Sequence, residues 1–467
     1  MVFIVTSLGA FMGSLDLSIV NVAFPSLERS FPTDSTAALA WVITAYSITY
    51  GSLLVIAGRT ADRLGSRRIF YLGLGVFSLG SALCALAPSV PLLIAGRVVQ
   101  GSGAAAMLPA SLSLLLAAYP SERRTQIVSL WGGIGALAVA TGPTLGAALV
   151  TVGGWRWAFI VNLPVGLYAY VMGRRVLSEG ARDADRPAPD YLGALLVCGA
   201  LATLVLAITQ GPRWGWSSGA VVASFVASLA LGAAFLYRCA HHDEPVLDLS
   251  LFHARTFSVA NVATLMYSMA FFAMLLGNIL FLTSVWHYKI MWAGLAVTPG
   301  PLVVASVAGP AGRLAGRVGF RAMLMTGSSL FALGLLLFAW RVGVTPDYLA
   351  TWLPGTLLVG LGIGLTFPVL GASAVSSLRP ERYAVGSAVN QTARQVGGAI
   401  GIAILVVLIG SPRNELDALR HFHHVWLFAA SLAAAAGLSS IFFGRPASNA
   451  AASTRHDEGR PSEIGAP

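Results

Sequence analysis

Asp16 is the residue whose type and setting carry the most chemistry. It lies in Ser14-Leu15-Asp16-Leu17-Ser18-Ile19-Val20-Asn21-Val22-Ala23-Phe24-Pro25, inside an apolar run that begins at Val2. About 20 apolar residues span a bilayer as a helix, and a carboxylate within such a span is costly and functional by default. Every other Asp and Glu falls in a loop, a helix end or a tail. Arg97 is the complementary group. It sits in another apolar run, on one face with Gln100 and Gly101, and a guanidinium this deep needs a carboxylate or carbonyl partner. Asp16 is the obvious candidate. Burial disfavours a charged carboxyl and a nearby guanidinium favours it, so an acid held between the two can exchange a proton as its surroundings change. A static ion pair is the plain alternative.

The elements that must position this pair are membrane helices. The chain has 467 residues, is 56% hydrophobic and only 10% charged, far below the roughly 25% charge of soluble domains. Apolar runs fall at 2–24, 40–58, 69–87, 91–118, 126–152, 157–177, 191–210, 218–238, 257–283, 291–310, 322–340, 348–371, 384–410 and 424–444. They divide into an N-terminal six-helix bundle (1–180), linkers with two extra helices at about 191–210 and 218–238 (181–254), a C-terminal six-helix bundle (255–444) and a polar tail (445–467) that is expected to be disordered. Of the 29 Lys and Arg residues, twenty fall on one set of loops and seven on the other, which orients both termini to the cytoplasm. The net charge of +10 is therefore topological rather than a nucleic-acid footprint. No cleavable signal is read at the N-terminus.

Other chemistries find little support. Cys84, Cys198 and Cys239 are far apart and lie in or beside apolar runs, so they read as packing residues. His241-His242, His421 and His423-His424 fall in expected loops without an acid set beyond Asp417. No paired acids or Ser/His arrangement suggests an enzyme.

Along the first helix, Gly9, Gly13, Asp16, Val20 and Ala23 share one face, and Ser14, Ser18 and Asn21 form a stripe roughly opposite. Both stripes cannot face one cavity, and the spacing leaves open which does. Gly58-Arg59-Thr60-Ala61-Asp62-Arg63-Leu64-Gly65-Ser66-Arg67-Arg68 joins the second and third spans. Gly65 suits a tight turn, and Asp62 suits the positive end of a helix. Arg63, Arg67 and Arg68 are anchors able to form breakable ion pairs. On the fifth span Gly135, Gly142 and Gly146 share a face, and Pro143 removes a backbone donor; the helix reads as a hinge, a seal or static packing. A degraded copy of the loop, Gly312 to Arg321, has Gly316 where the first copy has Asp62. Such copies are the trace of an internal repeat. Arg394, beside Gln391 and Gly398, has no evident acid partner. It reads either as a holder of an anionic or polar group or as an arginine bonded to carbonyls.

Together these features resemble the major facilitator superfamily, and within it the fourteen-span drug:proton antiporter branch. The likeness rests on Leu15-Asp16 through Pro25, on Gly58 through Arg68 with departures at Thr60 and Ser66, on Arg97, Gln100, Gly101 and Gly103, and on Gly135, Gly142, Pro143 and Gly146. Trp155 through Gly166, Glu244 through Phe252 and Gly386 through Gly401 extend it. The resemblance implies an all-α integral membrane fold and proton-coupled export of small amphipathic compounds. Proton coupling falls to Asp16 and Arg97. Gating falls to Gly58, Asp62, Arg63, Gly65, Arg67, Arg68, Gly135, Gly142, Pro143 and Gly146. Expected pathway residues are Asn21, Gln100, Asn162, Asn261, Tyr267, Asn278, Asn390 and Arg394. No cofactor is expected beyond the proton as coupling ion, no metal, and no partners beyond a small-molecule substrate and the lipid bilayer; the working unit is expected to be the monomer. The absence of further acids within the spans points to neutral, zwitterionic, anionic or singly charged substrates. A dedicated metabolite exporter, a proton symporter and a non-transporting receptor are the alternatives.

Overall fold

The computed structural model describes residues 1–178, 189–378 and 382–443, and among these all regular structure is helical. The first half comprises α1 (Val2–Ser30), α2 (Thr36–Leu64), α3 (Ser66–Leu86), α4 (Val90–Ala118), α5 (Ser121–Gly153), the short α6 (Trp157–Ile160) and α7 (Asn162–Val176). A hairpin of α8 (Tyr191–Trp214) and α9 (Gly219–His241) follows. The second half comprises α10 (Arg255–Ser284), α11 (Ile290–Val297), α12 (Pro299–Val318), α13 (Phe320–Arg341), α14 (Leu353–Val375), α15 (Tyr383–Ile409) and α16 (Glu415–Ser439). Twelve helices among the described residues are long and apolar enough to cross a membrane. α5 and the broken α6–α7 rod occupy the positions of the remaining two expected spans.

Local chemistry sets the boundaries. Gly65, at φ +98°, turns α2 into α3, and Gly319, at φ +87°, turns α12 into α13. Only glycine adopts this backbone without a Cβ penalty, and the same device stands at the corresponding point of each half. The Asn414 side chain accepts from the Asp417 N–H at 2.9 Å and starts α16 at Glu415. This corrects the expected start at 424 and puts His421, His423 and His424 on a helix rather than in a loop. Hydropathy missed the first turns because they are polar and acidic. Thr298 separates α11 from α12 just before Pro299, where a missing N–H is tolerated at a helix start.

Two six-helix bundles result. In the first, α4 packs on α2 and α3, and α5 lies along α1; in the second, α14 packs on α12 and α13, and α10 on α15 and α16. Phe281, Trp352 and Trp426 pack together in the core of the second bundle. The bundles meet through α2 and α15, α5 and α11–α12, and α1 and α10. At the α2–α15 seam, Thr392 Oγ1 donates to the Gly51 carbonyl at 2.9 Å. The two extra helices sit outside. Val205 of α8 packs with Ile48 of α2 and with Ala399 and Ala403 of α15, covering that seam, and neither extra helix lines the central cavity. The expected tail, 445–467, lies outside the described residues.

Candidate functional site

The acid and the arginine do meet. Arg97 Nη1 donates to Asp16 Oδ2 at 2.5 Å and to Gln100 Oε1 at 2.6 Å, and Arg97 Nε donates to the Val42 carbonyl at 2.7 Å. Gln100 Nε2 reaches Asp16 Oδ1 at 2.8 Å and Ser81 at 2.7 Å. Asn162 Nδ2 donates to Ser81 at 3.1 Å and lies 3.5 Å from Asp16 Oδ1. The guanidinium lies over the Tyr46 ring, 4.2 Å from its centroid, while its Nη2 finds no hydrogen-bond partner. Asp16 thus ties α1 directly to α4 and α7, and Arg97, Gln100 and Asn162 extend the network to α2 and α3. Both charged side chains are 0% exposed. A buried pair of this kind is expensive to break from one side, because the partner is left as an uncompensated charge.

The close approach of these helices depends on small residues. A Cβ at Gly101 would lie 2.8 Å from the Tyr46 carbonyl oxygen, and one at Gly103 would collide with the Phe77 backbone. On α5 the three expected glycines all face α1: Gly135 meets Ser14, Gly142 meets Ser18, and Gly146 meets Ile19. Any side chain at Gly142 would collide with Ser18.

Between the bundles lies a cavity of about 780 Å³. Gly58, Arg59, Asp62 and Ser113 line it near the face that carries the arginine-rich loops. Toward the opposite face the bundles close: the Thr144 and Thr298 hydroxyls are 2.6 Å apart, and Gly294 packs directly on Pro143 and Ala147. α5, with Pro143 inside it, therefore forms part of the seal, and Gly135 and Pro143 also line the cavity.

The structure decides which stripe of α1 faces inward. Ala10, Ser14, Leu17 and Ser18 line the cavity, whereas Asp16 points into its own bundle. Of the expected pathway residues, Asn278 and Arg394 line the cavity. The other six do not. Gln100 and Asn162 belong to the Asp16 network. Asn390 donates to Asn261 and Thr264 inside the second bundle. Tyr267 packs against Phe331 and Phe367, and Asn21 donates to the Leu17 carbonyl one turn back. For Gln100, Asn162, Asn261 and Asn390 the physical reason is shared: inside a helix bundle a polar side chain satisfies a neighbour at least as readily as it faces water.

The expected loop is helical on both sides of Gly65, with Arg63 ending α2 and Arg67 and Arg68 beginning α3; Arg67 lies 5.8 Å from the Tyr71 ring centroid, Arg63 is half-buried and Arg68 is exposed. No ion pair among the described residues involves these three. Arg59 instead pairs with Glu244 at 3.0 Å, and Arg382 with Asp248 at 3.3 Å, so the segment after α9 is bonded to both halves. Tyr50, Gln391, Gln395 and Phe367 are lining residues that sequence reasoning passed over.

Two apolar bundles around a cavity that is sealed at one face define a membrane transporter rather than an enzyme. The Major Facilitator Superfamily model matches residues 6–402, and a second match covers 262–462; the chain belongs to this family. It is 34% identical over 403 residues to the multidrug resistance protein Stp of Mycobacterium tuberculosis, covering 86% of this chain and 74% of that one. It is 33% identical to the methylenomycin A resistance protein of Bacillus subtilis, covering 87% of each, and 30% identical to the tetracenomycin C resistance and export protein of Streptomyces glaucescens, covering 87% of this chain and 75% of that one. The inward-open xylose transporter XylE from E. coli shares the fold, with a TM-score of 0.66 at 12% identity over 96% of this chain and 97% of that one.

Proposed function

We propose that this protein exports small amphipathic compounds across the cytoplasmic membrane in exchange for protons, with both termini in the cytoplasm. The observation that carries the reading is the pairing of a single acid–arginine hub in one bundle with a central cavity that has one sealed face. The resistance and export roles named for the relatives support the direction and the substrate type.

Because Asp16 points away from the cavity, coupling runs through the helices. Protonation of Asp16 neutralises the partner of Arg97 and loosens the tie between α1 and α2, α3, α4 and α7. α1 carries Ser14 and Ser18 on its cavity face and lies against α5. A shift of α1 therefore reaches the substrate surface and the Thr144–Thr298 seal together. Each proton entering down the membrane potential supplies about 2.3 kcal/mol per 100 mV, against about 0.5–1.5 kcal/mol for one seal hydrogen bond.

A second reading rests on the same burial: the pair is a permanent clamp and coupling resides elsewhere. The experiment is transport in reconstituted vesicles containing a pH-sensitive dye, with a panel of amphipathic compounds of different charge. Antiport moves substrate against the proton current. Flux in the same direction as the proton would make the protein a symporter, and saturable binding without flux would make it a receptor.

A further inference from the structure

Arg394 stands in a setting unlike that of Arg97. It lies on α15 and lines the cavity, and among the described residues it makes no hydrogen bond and no ion pair. Its guanidinium lies over the Phe367 ring, 3.9 Å from the centroid. A ring contact uses none of the guanidinium N–H donors, and an unbonded N–H fork is what grips a carboxylate or sulfonate through two parallel bonds. Tyr50, whose hydroxyl meets the Gln391 side chain, borders the same spot.

The rest of the lining sharpens the point. Among the described residues, the only other charged lining residues are Arg59 and Asp62. Arg59 is already paired with Glu244. Asp62 lies twelve residues beyond Tyr50 on α2, about 18 Å along the helix, too far for an ion pair with a group at the level of Tyr50. Apolar side chains dominate the rest of the lining, with Phe271, Phe272, Leu54 and Met274, beside the amides of Gln391 and Gln395 on the same helix as Arg394. A cation in such a wall, with no counterion of its own, is an incomplete site.

We propose that Arg394 receives the anionic group of the substrate, and that the preferred cargo is a monoanion (a carboxylate, phenolate or sulfonate) on an aromatic body that packs against the phenylalanines. This rests on the reading of the cavity as the substrate path.

The test uses the full chain in phosphatidylcholine nanodiscs, with 2-naphthalenesulfonate and its neutral isostere 2-naphthalenesulfonamide as probes and empty discs subtracted. Wild-type protein is expected to bind the sulfonate at least about tenfold more tightly, the worth of a charge-assisted bond. Arg394→Gln abolishes the preference and leaves sulfonamide binding unchanged, while Arg394→Lys keeps part of it. The wild-type ratio needs no variant, so a misfolded Arg394→Gln cannot hide the answer. Equal binding of the two probes by wild-type protein overturns the inference but leaves the cavity as the path. Binding of neither probe removes the path reading itself. Displacement of the sulfonate by phosphatidylglycerol in the disc would assign the site to a lipid headgroup and overturn the substrate class.

Discussion

Arg97 and Arg394 are both guanidiniums set in the middle of apolar helices, each over an aromatic ring, and the rest of their surroundings differ. Arg97 has a carboxylate, a side-chain amide, a backbone carbonyl and an aromatic ring, all within its own bundle. Arg394 has an aromatic ring and an open cavity. The field of the first is cancelled locally, so it acts only when its partner changes charge. The field of the second remains available to whatever enters. On the function proposed above, the first bundle holds the coupling group and the second the recognition group. The helix ends ahead of Gly65 and Gly319 repeat this asymmetry, with Asp62 in one half and Gly316 in the other.

The largest effect should come from breaking the first arginine's pairing from one side. Arg97→Gln leaves Asp16 buried without a counter-charge, and about 3–5 kcal/mol of stability is expected to go, seen as a lower melting temperature and loss of monodisperse protein. Adding Asp16→Asn to the same chain removes the stranded charge and should restore most of it. Single and double variants that melt alike would erase the contrast between the two arginines.

A smaller but still large effect is expected at the α1–α5 contact. Gly142→Val drives a side chain into Ser18 and should cost about 1–3 kcal/mol through overpacking. Transport should fall while sulfonate binding at Arg394 persists; loss of both would mean that the two regions are not separable. Weaker still is the seal. Thr144→Val removes one hydrogen bond worth about 0.5–1.5 kcal/mol, so the state open to the opposite face should become about two- to tenfold more populated, as read from spin-label distances between the bundles. The smallest effect belongs to Glu244→Gln. The Arg59–Glu244 pair is partly exposed, and such pairs contribute at most about 1 kcal/mol. Melting and transport should barely change, and a collapse of transport would promote this loop to a clasp between the halves.

Much of the fold was legible because apolar run length is a direct readout of membrane thickness. Breaks within runs were not: Thr298 and Val161 interrupt helices without interrupting hydropathy. The Asp16–Arg97 pair was legible by elimination, since one acid and one nearby arginine lay inside spans of the first half. The cavity was not. On α1 the Asp16 stripe and the Ser14–Ser18 stripe have the same period, and only the packing of α5 onto the serines chooses between them. Polarity within a span likewise pointed to Asn390 and Asn261, which bond to each other's helix, while Phe367 and Tyr50 carry no polar signature distinct from ordinary packing.

The most direct measurement uses the Asp16→Asn/Arg97→Gln double variant, in which no buried charge is stranded. It is reconstituted beside the wild type, with substrate binding and substrate-linked proton flux read from the same vesicles. Binding should survive and the proton flux should vanish. Proton flux that still tracks the substrate at the wild-type rate would show that coupling does not pass through Asp16.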